Sequence, residues 1–185
     1  MQEMKIISGL YKGRTIHGYN IDGTRPTQER VKESLFGMIQ SELRDQIVLD
    51  LFAGTGNLGL EALSNGSIAC IFVDINPKCT ECIQKTVESF QIPNAEIYTM
   101  DYQKALERFQ KEKRKFDLIF LDPPYRYQNI ESILKKLAEK DLINTGGIVV
   151  CEYEEDELQD EYLSFQRLKF RSYGSKNISI YQYRR

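Results

Sequence analysis

The sequence has a single histidine, four cysteines and no apolar segment that approaches the ~18 residues of a membrane-spanning helix. Its first residues, MQEMKIISGLYKG, include an acid and lack the continuous apolar stretch of a secretory signal. These absences exclude a helical membrane protein and argue against secretion. We therefore expect a cytoplasmic protein without a membrane partner.

The few cysteines do not form a disulfide framework, and a chain of 185 residues can bury a core without one. They are Cys70, Cys79, Cys82 and Cys151. Cys79 and Cys82 form a C-x-x-C motif, which is compatible with a redox site or half of a zinc site. However, Cys79 shares a helical face with Ile83 and Val87, no second pair exists, and structural zinc usually has four ligands. The pattern favours buried thiols, and no metal is expected.

Charge is nearly balanced, with a formal net charge of −2, but it is unevenly distributed. Positions 166–185 contain six basic residues and no acid, and Lys5, Lys12 and Arg14 occupy an acid-free stretch near the other end. Positions 152–161 contain seven acidic residues, which offset the total. The two basic ends are candidate phosphate-facing segments, with an ordinary solvated surface as the alternative.

Short runs rich in β-branched and aromatic residues alternate with segments of helical periodicity. The predicted strands are 46–52, 68–74, 95–100, 116–122 and 147–152. The predicted helices between them are 57–65, 77–90, 102–113 and 130–140. Strands separated by helices of this length imply right-handed crossovers and a sheet covered on both faces. The sequence therefore predicts an α/β, Rossmann-like fold with a mostly parallel sheet.

The two ends of the chain depart from this alternation. Positions 6–17 are short, basic and interrupted by glycines, which suggests a small hairpin, and positions 27–40 carry apolar residues on one helical face. Near the C-terminus, two strand-like runs flank the turn at 173–177. They predict an antiparallel hairpin that closes the edge of the sheet.

A glycine-rich segment, DLFAGTG at 50–56, joins the end of a predicted strand to the start of a helix. Glycines at such a bend let a ligand approach the backbone, and the helix N-terminus offers free N–H groups. With Asp74 at the end of the next strand, the spacing also fits an NAD-binding fold. Asp50, at the strand end before the glycines, suits a cationic amino-acid moiety better than a pyrophosphate. It therefore favours S-adenosylmethionine, and Asp74 would bind ribose hydroxyls under either reading.

The sequence Asp122-Pro123-Pro124-Tyr125 follows the apolar run FDLIFL directly. It therefore lies at the carboxyl end of the fourth predicted strand, beside the crevice where open α/β sheets bind ligands. Two prolines fix φ and withdraw two N–H donors, which leaves the Asp122 carboxylate and the Pro123 carbonyl as acceptors. A conjugated base NH₂ needs such acceptors for its hydrogens, and Tyr125 can stack on the base. The alternative is a proline turn that only ends the strand.

These motifs resemble those of the amino-methyltransferases, whose glycine-rich first motif and DPPY-type fourth motif match positions 50–56 and 122–125. Four more segments resemble the RsmD family of bacterial 16S ribosomal RNA guanine-N2 methyltransferases: KIISGLYKGR (5–14), TRPTQERVKESLF (24–36), GNLGLEALSNG (56–66) and YGSKNISIYQY (173–183). The resemblance covers most of the chain. DPPY alone is shared by DNA adenine-N6 and cytosine-N4 enzymes, and a nucleotide- or RNA-binding module without catalysis is a third alternative.

The resemblance implies a class I methyltransferase fold with S-adenosylmethionine as cofactor. The cofactor-binding residues would be Asp50, Phe52, Gly54, Gly56, Asp74 and Asp101. Of these, Asp101 would hold the adenine amino group, with a plain helix N-cap before Tyr102 as the alternative. The catalytic residues would be Asp122, Pro123, Pro124 and Tyr125, and the methyl group would be transferred by direct in-line displacement.

The implied partner is 16S ribosomal RNA, within the small ribosomal subunit or an assembly intermediate, and the expected enzyme is a monomer. The residues expected to contact RNA or the target base are Arg25, Thr27, Lys5, Lys12 and Arg14. We expect a single domain over 1–185. Within it, positions 1–45 would face the RNA and positions 46–185 would form the cofactor-binding and catalytic core.

Overall fold

An eight-stranded sheet forms the centre of the molecule. The computed structural model describes residues 4–18, 27–124, 129–154 and 158–185. Its strands are β1 (Ile47–Asp50), β2 (Ala69–Asp74), β3 (Ala95–Thr99), β4 (Phe116–Leu121), β5 (Ile143–Glu154), β6 (Glu161–Tyr162), β7 (Phe165–Tyr173) and β8 (Lys176–Tyr183). Their order in the sheet is β3-β2-β1-β4-β5-β8-β7-β6. The first five strands pair in parallel and the last three in antiparallel fashion. The predicted α/β class, the parallel sheet and the C-terminal hairpin are confirmed.

Helices cover both faces of this sheet. They are α1 (Thr27–Met38), α2 (Asn57–Ser64), α3 (Pro77–Phe90), α4 (Tyr102–Lys111) and α5 (Ile130–Glu139). Because successive side chains of a strand point to opposite faces, Val48 of β1 packs with α1, α2 and α3, and Leu49 packs with α4 and α5. Among the described helices, none is long and apolar enough to cross a bilayer.

Two parts of the sheet differ from the sequence prediction. Strand β5 begins at Ile143, before the predicted start at 147, and its pairing with β4 shifts register between Phe116 and Leu118. Gly146 and Gly147 thus lie within an irregular strand, because a register shift accommodates Gly146 at a φ of 84°. Strand β6 was not predicted, since it has only two residues, an exposed Glu161 and a half-buried Tyr162, and two residues carry no periodicity.

Residues 4–18 fold back on themselves through an isolated antiparallel bridge between Lys5 and Thr15, and this N-terminal hairpin and α1 are anchored by a buried ion pair. The Lys32 Nζ lies 2.9 Å from the Glu61 Oε2, and the two side chains are 1% and 0% exposed. Lys32 also donates to the carbonyl of Lys5 at 2.8 Å, and Glu61 accepts the backbone N–H groups of Ile7 and Ser8. Burial lowers the pKa of Lys32, while the Glu61 carboxylate opposes that shift. The pair joins three separate segments and holds α1 beside the carboxyl ends of the strands.

Helix α2 approaches the sheet closely because Gly59 has no side chain. A Cβ at this position would lie 2.4 Å from a ring carbon of Phe72 and 2.6 Å from the sulfur of Cys70. Gly59→Ala is therefore expected to destabilise the fold by about 1–3 kcal/mol, the usual cost of overpacking. The measurement is the free energy of unfolding in denaturant.

Gly37→Ala is the matched control, because Gly37 lies in α1 and a Cβ there would meet no atom within 4 Å. This variant is expected to be as stable as wild type or more stable by up to about 1 kcal/mol, since alanine favours the helix. Equal effects of the two substitutions would contradict the close packing at Gly59.

Candidate functional site

A cleft opens at the carboxyl ends of β1 and β4, with α1 as one wall. The parallel register places Asp50, the last residue of β1, beside Phe120 of β4. The cleft is lined by Asp50 and the glycine-rich turn after β1, by Asp122 after β4, and by Lys32 of α1. The two motifs singled out in the sequence therefore share one cleft.

Asp50 is a buried carboxylate at the base of this cleft, with 3% of the residue exposed. Its Oδ2 accepts the backbone N–H of Gly59 at 3.0 Å, in the first turn of α2. Burial raises the pKa of Asp50 to about 7, and the nearby charge of Asp74 acts in the same direction. The Gly59 N–H opposes the shift. Asp50 is therefore poised between its charged and neutral forms near neutral pH.

Asp74 holds the glycine-rich turn closed. Its Oδ2 accepts the N–H of Gly54 at 2.8 Å, and its Oδ1 accepts the N–H of Asn76 at 2.8 Å. Gly54 and Gly56 both have positive φ, 55° and 82°, which a residue with a side chain rarely adopts. A Cβ on Gly54 would meet nothing within 4 Å, so this part of the turn leaves its backbone open to a ligand.

Asp122 borders the cleft and also an adjoining pocket, which Pro123 and Pro124 line and which shares Glu152 and Lys176 with the cleft. The Asp122 side chain is accessible from the cleft, but the surrounding walls remove part of its solvation. This loss of solvation raises the pKa of Asp122 well above its usual range, the Glu152 carboxylate adds to the effect, and Lys176 opposes it. The Asp122 carboxylate can thus accept hydrogen bonds from a ligand in the cleft. Tyr125 lies outside the described residues.

Two other predicted cofactor residues lie on the α4 side of the sheet. Phe52 lines the cleft and packs against Tyr102, with ring centroids 5.2 Å apart. Asp101 is the N-cap of α4 and accepts the N–H of Gln103 at 2.8 Å. The helix-capping alternative is thus observed for Asp101, and its contact with an adenine stays a prediction.

The basic residues of the N-terminal hairpin divide into two groups. Lys5 and Lys12 are exposed. Arg14 is exposed as well, but its guanidinium donates to the Ser89 carbonyl at 2.6 Å and lies 4.1 Å from the centre of the Phe90 ring. Arg14 is therefore partly committed to contacts within the protein. Thr27 begins α1, and Arg25 lies outside the described residues.

Three charged residues that line the cleft were not predicted as site residues from the sequence: Lys32, Glu152 and Lys176. A signal existed for Lys32, because it shares a helical face with Leu35 and Ile39, where an apolar residue is expected. A signal also existed for Glu152, because this charged residue directly follows the apolar residues of β5. Over the part of the chain that the structure describes, no group of three or more His, Cys, Asp or Glu could hold a metal ion.

Comparison with known sequences gives a consistent set of relatives. The family model described as "Conserved hypothetical protein 95" matches residues 4–182. The protein YlbH of Bacillus subtilis, whose name marks it as a candidate rRNA methyltransferase, is 36% identical over 98% of this chain and 100% of its own. Ribosomal RNA small subunit methyltransferase D of Haemophilus influenzae is 30% identical over 97% of this chain and 94% of its own.

Solved structures show the same fold. The methyltransferase-like protein yhhF of Escherichia coli superposes with a TM-score of 0.86 at 24% identity, covering 99% of each chain. The 16S rRNA N2 methyltransferase RsmC of T. thermophilus, solved with AdoMet and guanosine, has a TM-score of 0.70 at 21% identity, over 100% of this chain and 50% of its own. At these identities the likeness concerns the fold alone.

Asp50→Asn is expected to flatten the pH dependence of the free energy of unfolding. The folded protein raises the pKa of Asp50 from 3.8 to about 7, so between these values it binds more protons than the unfolded chain. Stability from protonated Asp50 is therefore present at low pH and lost as the pH rises towards 7. Asparagine cannot ionise and keeps an acceptor for the Gly59 N–H. Above pH 7 the variant should be more stable than wild type by at most about 4 kcal/mol.

Denaturant unfolding at several pH values tests this, with Asp45→Asn as the control because the Asp45 side chain is 80% exposed. The control should follow the wild-type curve. A difference between Asp50→Asn and wild type that does not change with pH would contradict the raised pKa.

Proposed function

Because the chain belongs to the family of ribosomal RNA small subunit methyltransferase D, we propose that it transfers a methyl group from S-adenosylmethionine to the exocyclic N2 amine of a guanine in 16S ribosomal RNA. The observation that carries the proposal is the cleft shared by the glycine-rich turn after β1 and by Asp122 after β4, with Pro123 and Pro124 lining the adjoining pocket.

The residues on the β1 side of the cleft fit S-adenosylmethionine. The open space at Gly54 lets a ligand reach the backbone of the turn. The buried Asp50 carboxylate would become fully charged beside the α-ammonium group, which compensates for its burial. Asp74 already accepts two backbone N–H groups, but carboxylate oxygens have further lone pairs for the ribose hydroxyls. Bound there, the cofactor supplies an electrophilic methyl group on a sulfonium.

On the β4 side, Asp122 and the Pro123 carbonyl would hold the target amine. Both are acceptors, so they would bind the two amine hydrogens and direct the nitrogen lone pair away from themselves. The raised pKa of Asp122 also suits a group that takes up the proton released when the amine is methylated. The rate gain would come from alignment and from these acceptors, so no covalent enzyme intermediate is needed.

The N-terminal hairpin and α1 would face the RNA. Lys5 and Lys12 are exposed on the hairpin, and the Lys5 carbonyl is bonded to Lys32 in the wall of the cleft. An RNA strand bound along the hairpin would thus run close to the cleft, into which the target guanine would be flipped. The proposed substrate is the small ribosomal subunit or an assembly intermediate.

Incubation with tritiated S-adenosylmethionine and small ribosomal subunits, followed by nucleoside analysis, tests the proposed function. Wild type should place the label in N2-methylguanosine. Asp122→Ala should lower the transfer rate by about 10²–10³-fold, the usual effect of losing one transition-state hydrogen bond, with cofactor affinity nearly unchanged.

Label in adenine or cytosine, or label in DNA but not in RNA, would overturn the proposal. If Asp122→Ala methylates at the wild-type rate, Asp122 has no role in the transfer and only forms part of the turn after β4. Calorimetry with S-adenosylhomocysteine separates a loss of chemistry from a loss of cofactor binding.

Neutralising Lys5 and Lys12 together should weaken the salt dependence of RNA binding. Each phosphate contact adds about one unit to the slope of log affinity against log salt, so Lys5→Gln with Lys12→Gln should lower that slope by about two units at most. Cofactor affinity should not change. The measurement is the affinity for 16S ribosomal RNA across a salt series.

Lys104→Gln with Lys111→Gln is the matched control, because both lysines are exposed on α4, on the opposite face of the sheet. This control removes the same charge from a surface that the proposal leaves free of RNA. Equal changes in slope for the two double variants would mean that the hairpin has no specific role.

A further inference from the structure

Next to Asp122, a second acid and a lysine line the same cleft. The register that pairs Leu121 of β4 with Cys151 of β5 brings Asp122 beside Glu152 at the strand ends. Glu152 is only 9% exposed, and its Oε1 accepts a hydrogen bond from the Lys176 Nζ at the start of β8. Both side chains border the cleft together with Asp122.

Placing two acidic side chains next to each other is unfavourable for the stability of the fold. Two carboxylates placed side by side repel each other, and Glu152 contributes to the raised pKa of Asp122. Burial acts to lower the pKa of Lys176, but the carboxylates of Glu152 and Asp122 outweigh it and raise that pKa, so Lys176 is a cation. The lysine uses only Oε1 of Glu152. Among the contacts of the described residues, no hydrogen bond uses the other oxygen, Oε2.

The pattern of hydrogen-bonding groups next to the target amine distinguishes the bases. In guanine, the N2 amine has the N1–H donor on one side. In adenine and cytosine, the ring nitrogen next to the exocyclic amine is an acceptor. With the amine bound to Asp122, a neighbouring carboxylate can accept the N1–H of guanine. In adenine or cytosine, the same carboxylate would face a ring nitrogen that is also an acceptor, which is unfavourable.

We propose that Glu152 selects guanine by accepting its N1–H while the N2 amine binds Asp122, and that Lys176 is a positioning residue that orients Glu152 through Oε1. This inference rests on the proposed function and names the residue that reads the base. It also gives one residue of the acidic segment 152–161 a role in base recognition.

The test compares guanine with 2-aminopurine, which keeps the 2-amino group but has an acceptor at N1. Small subunits are reconstituted from 16S ribosomal RNA carrying either base at the nucleotide that wild type methylates, and kcat/KM is measured for each. Wild type should prefer guanine. Glu152→Gln should lower the guanine to 2-aminopurine ratio by about 10-fold or more, the discrimination that a well-placed contact to a base provides. The ratio is internal to each protein, so a smaller folded fraction does not affect it.

Two further variants sharpen the comparison. Glu161→Gln removes the same charge from an exposed position of the acidic segment and should keep the wild-type ratio. Lys176→Met should lower the ratio partly, and Lys176→Arg should restore it, because arginine can still hold Oε1 of Glu152.

Failure of the proposed function and failure of this inference are distinguishable. If wild type labels no guanine N2, the proposed function fails before any variant is compared. If wild type labels guanine N2 and Glu152→Gln keeps the wild-type ratio, only the role of Glu152 is overturned.

Discussion

The parallel pairing of β1 with β2 on one side and β4 on the other is the constraint on which the site depends. Parallel strands end at the same edge, so this pairing brings Asp50, Asp74 and Asp122 to one rim of the sheet. Their charges require compensation, which comes from backbone N–H groups for Asp50 and Asp74 and from Lys176 near Asp122. The compensation is incomplete, as the raised pKa values of Asp50 and Asp122 indicate. A cationic ligand and an amine donor would complete it.

The buried ion pair of Lys32 and Glu61 fixes α1, which forms one wall of the cleft. Burying an ion pair stabilises a fold little, because both charges lose their solvation, but removing one partner is strongly destabilising. Here the pair satisfies backbone groups of the N-terminal hairpin and holds α1 over the strand ends. Its contribution is therefore geometric, since it couples the segment proposed to meet RNA to the proposed chemical site.

The same features are unfavourable for the stability of the fold. Without a cationic ligand beside it, the buried Asp50 carboxylate with a pKa near 7 destabilises the fold, and so does the proximity of Asp122 and Glu152. A cleft built only for stability would be apolar. Proteins often retain such strain where a ligand will relieve it, which is the usual trade between stability and function.

Much of this protein could be predicted from local sequence. The order of strands and helices, the glycine-rich turn and the Asp122-Pro123-Pro124 segment follow from periodicity and from the backbone preferences of glycine and proline, which act over a few residues. The family resemblance rested on the same local motifs. The pairings of Lys32 with Glu61 and of Lys176 with Glu152, and the commitment of Arg14 to Phe90, were decided only by the tertiary structure. They join residues from separate elements, and whether two distant charges meet depends on strand order, register and helix packing, which no local pattern encodes.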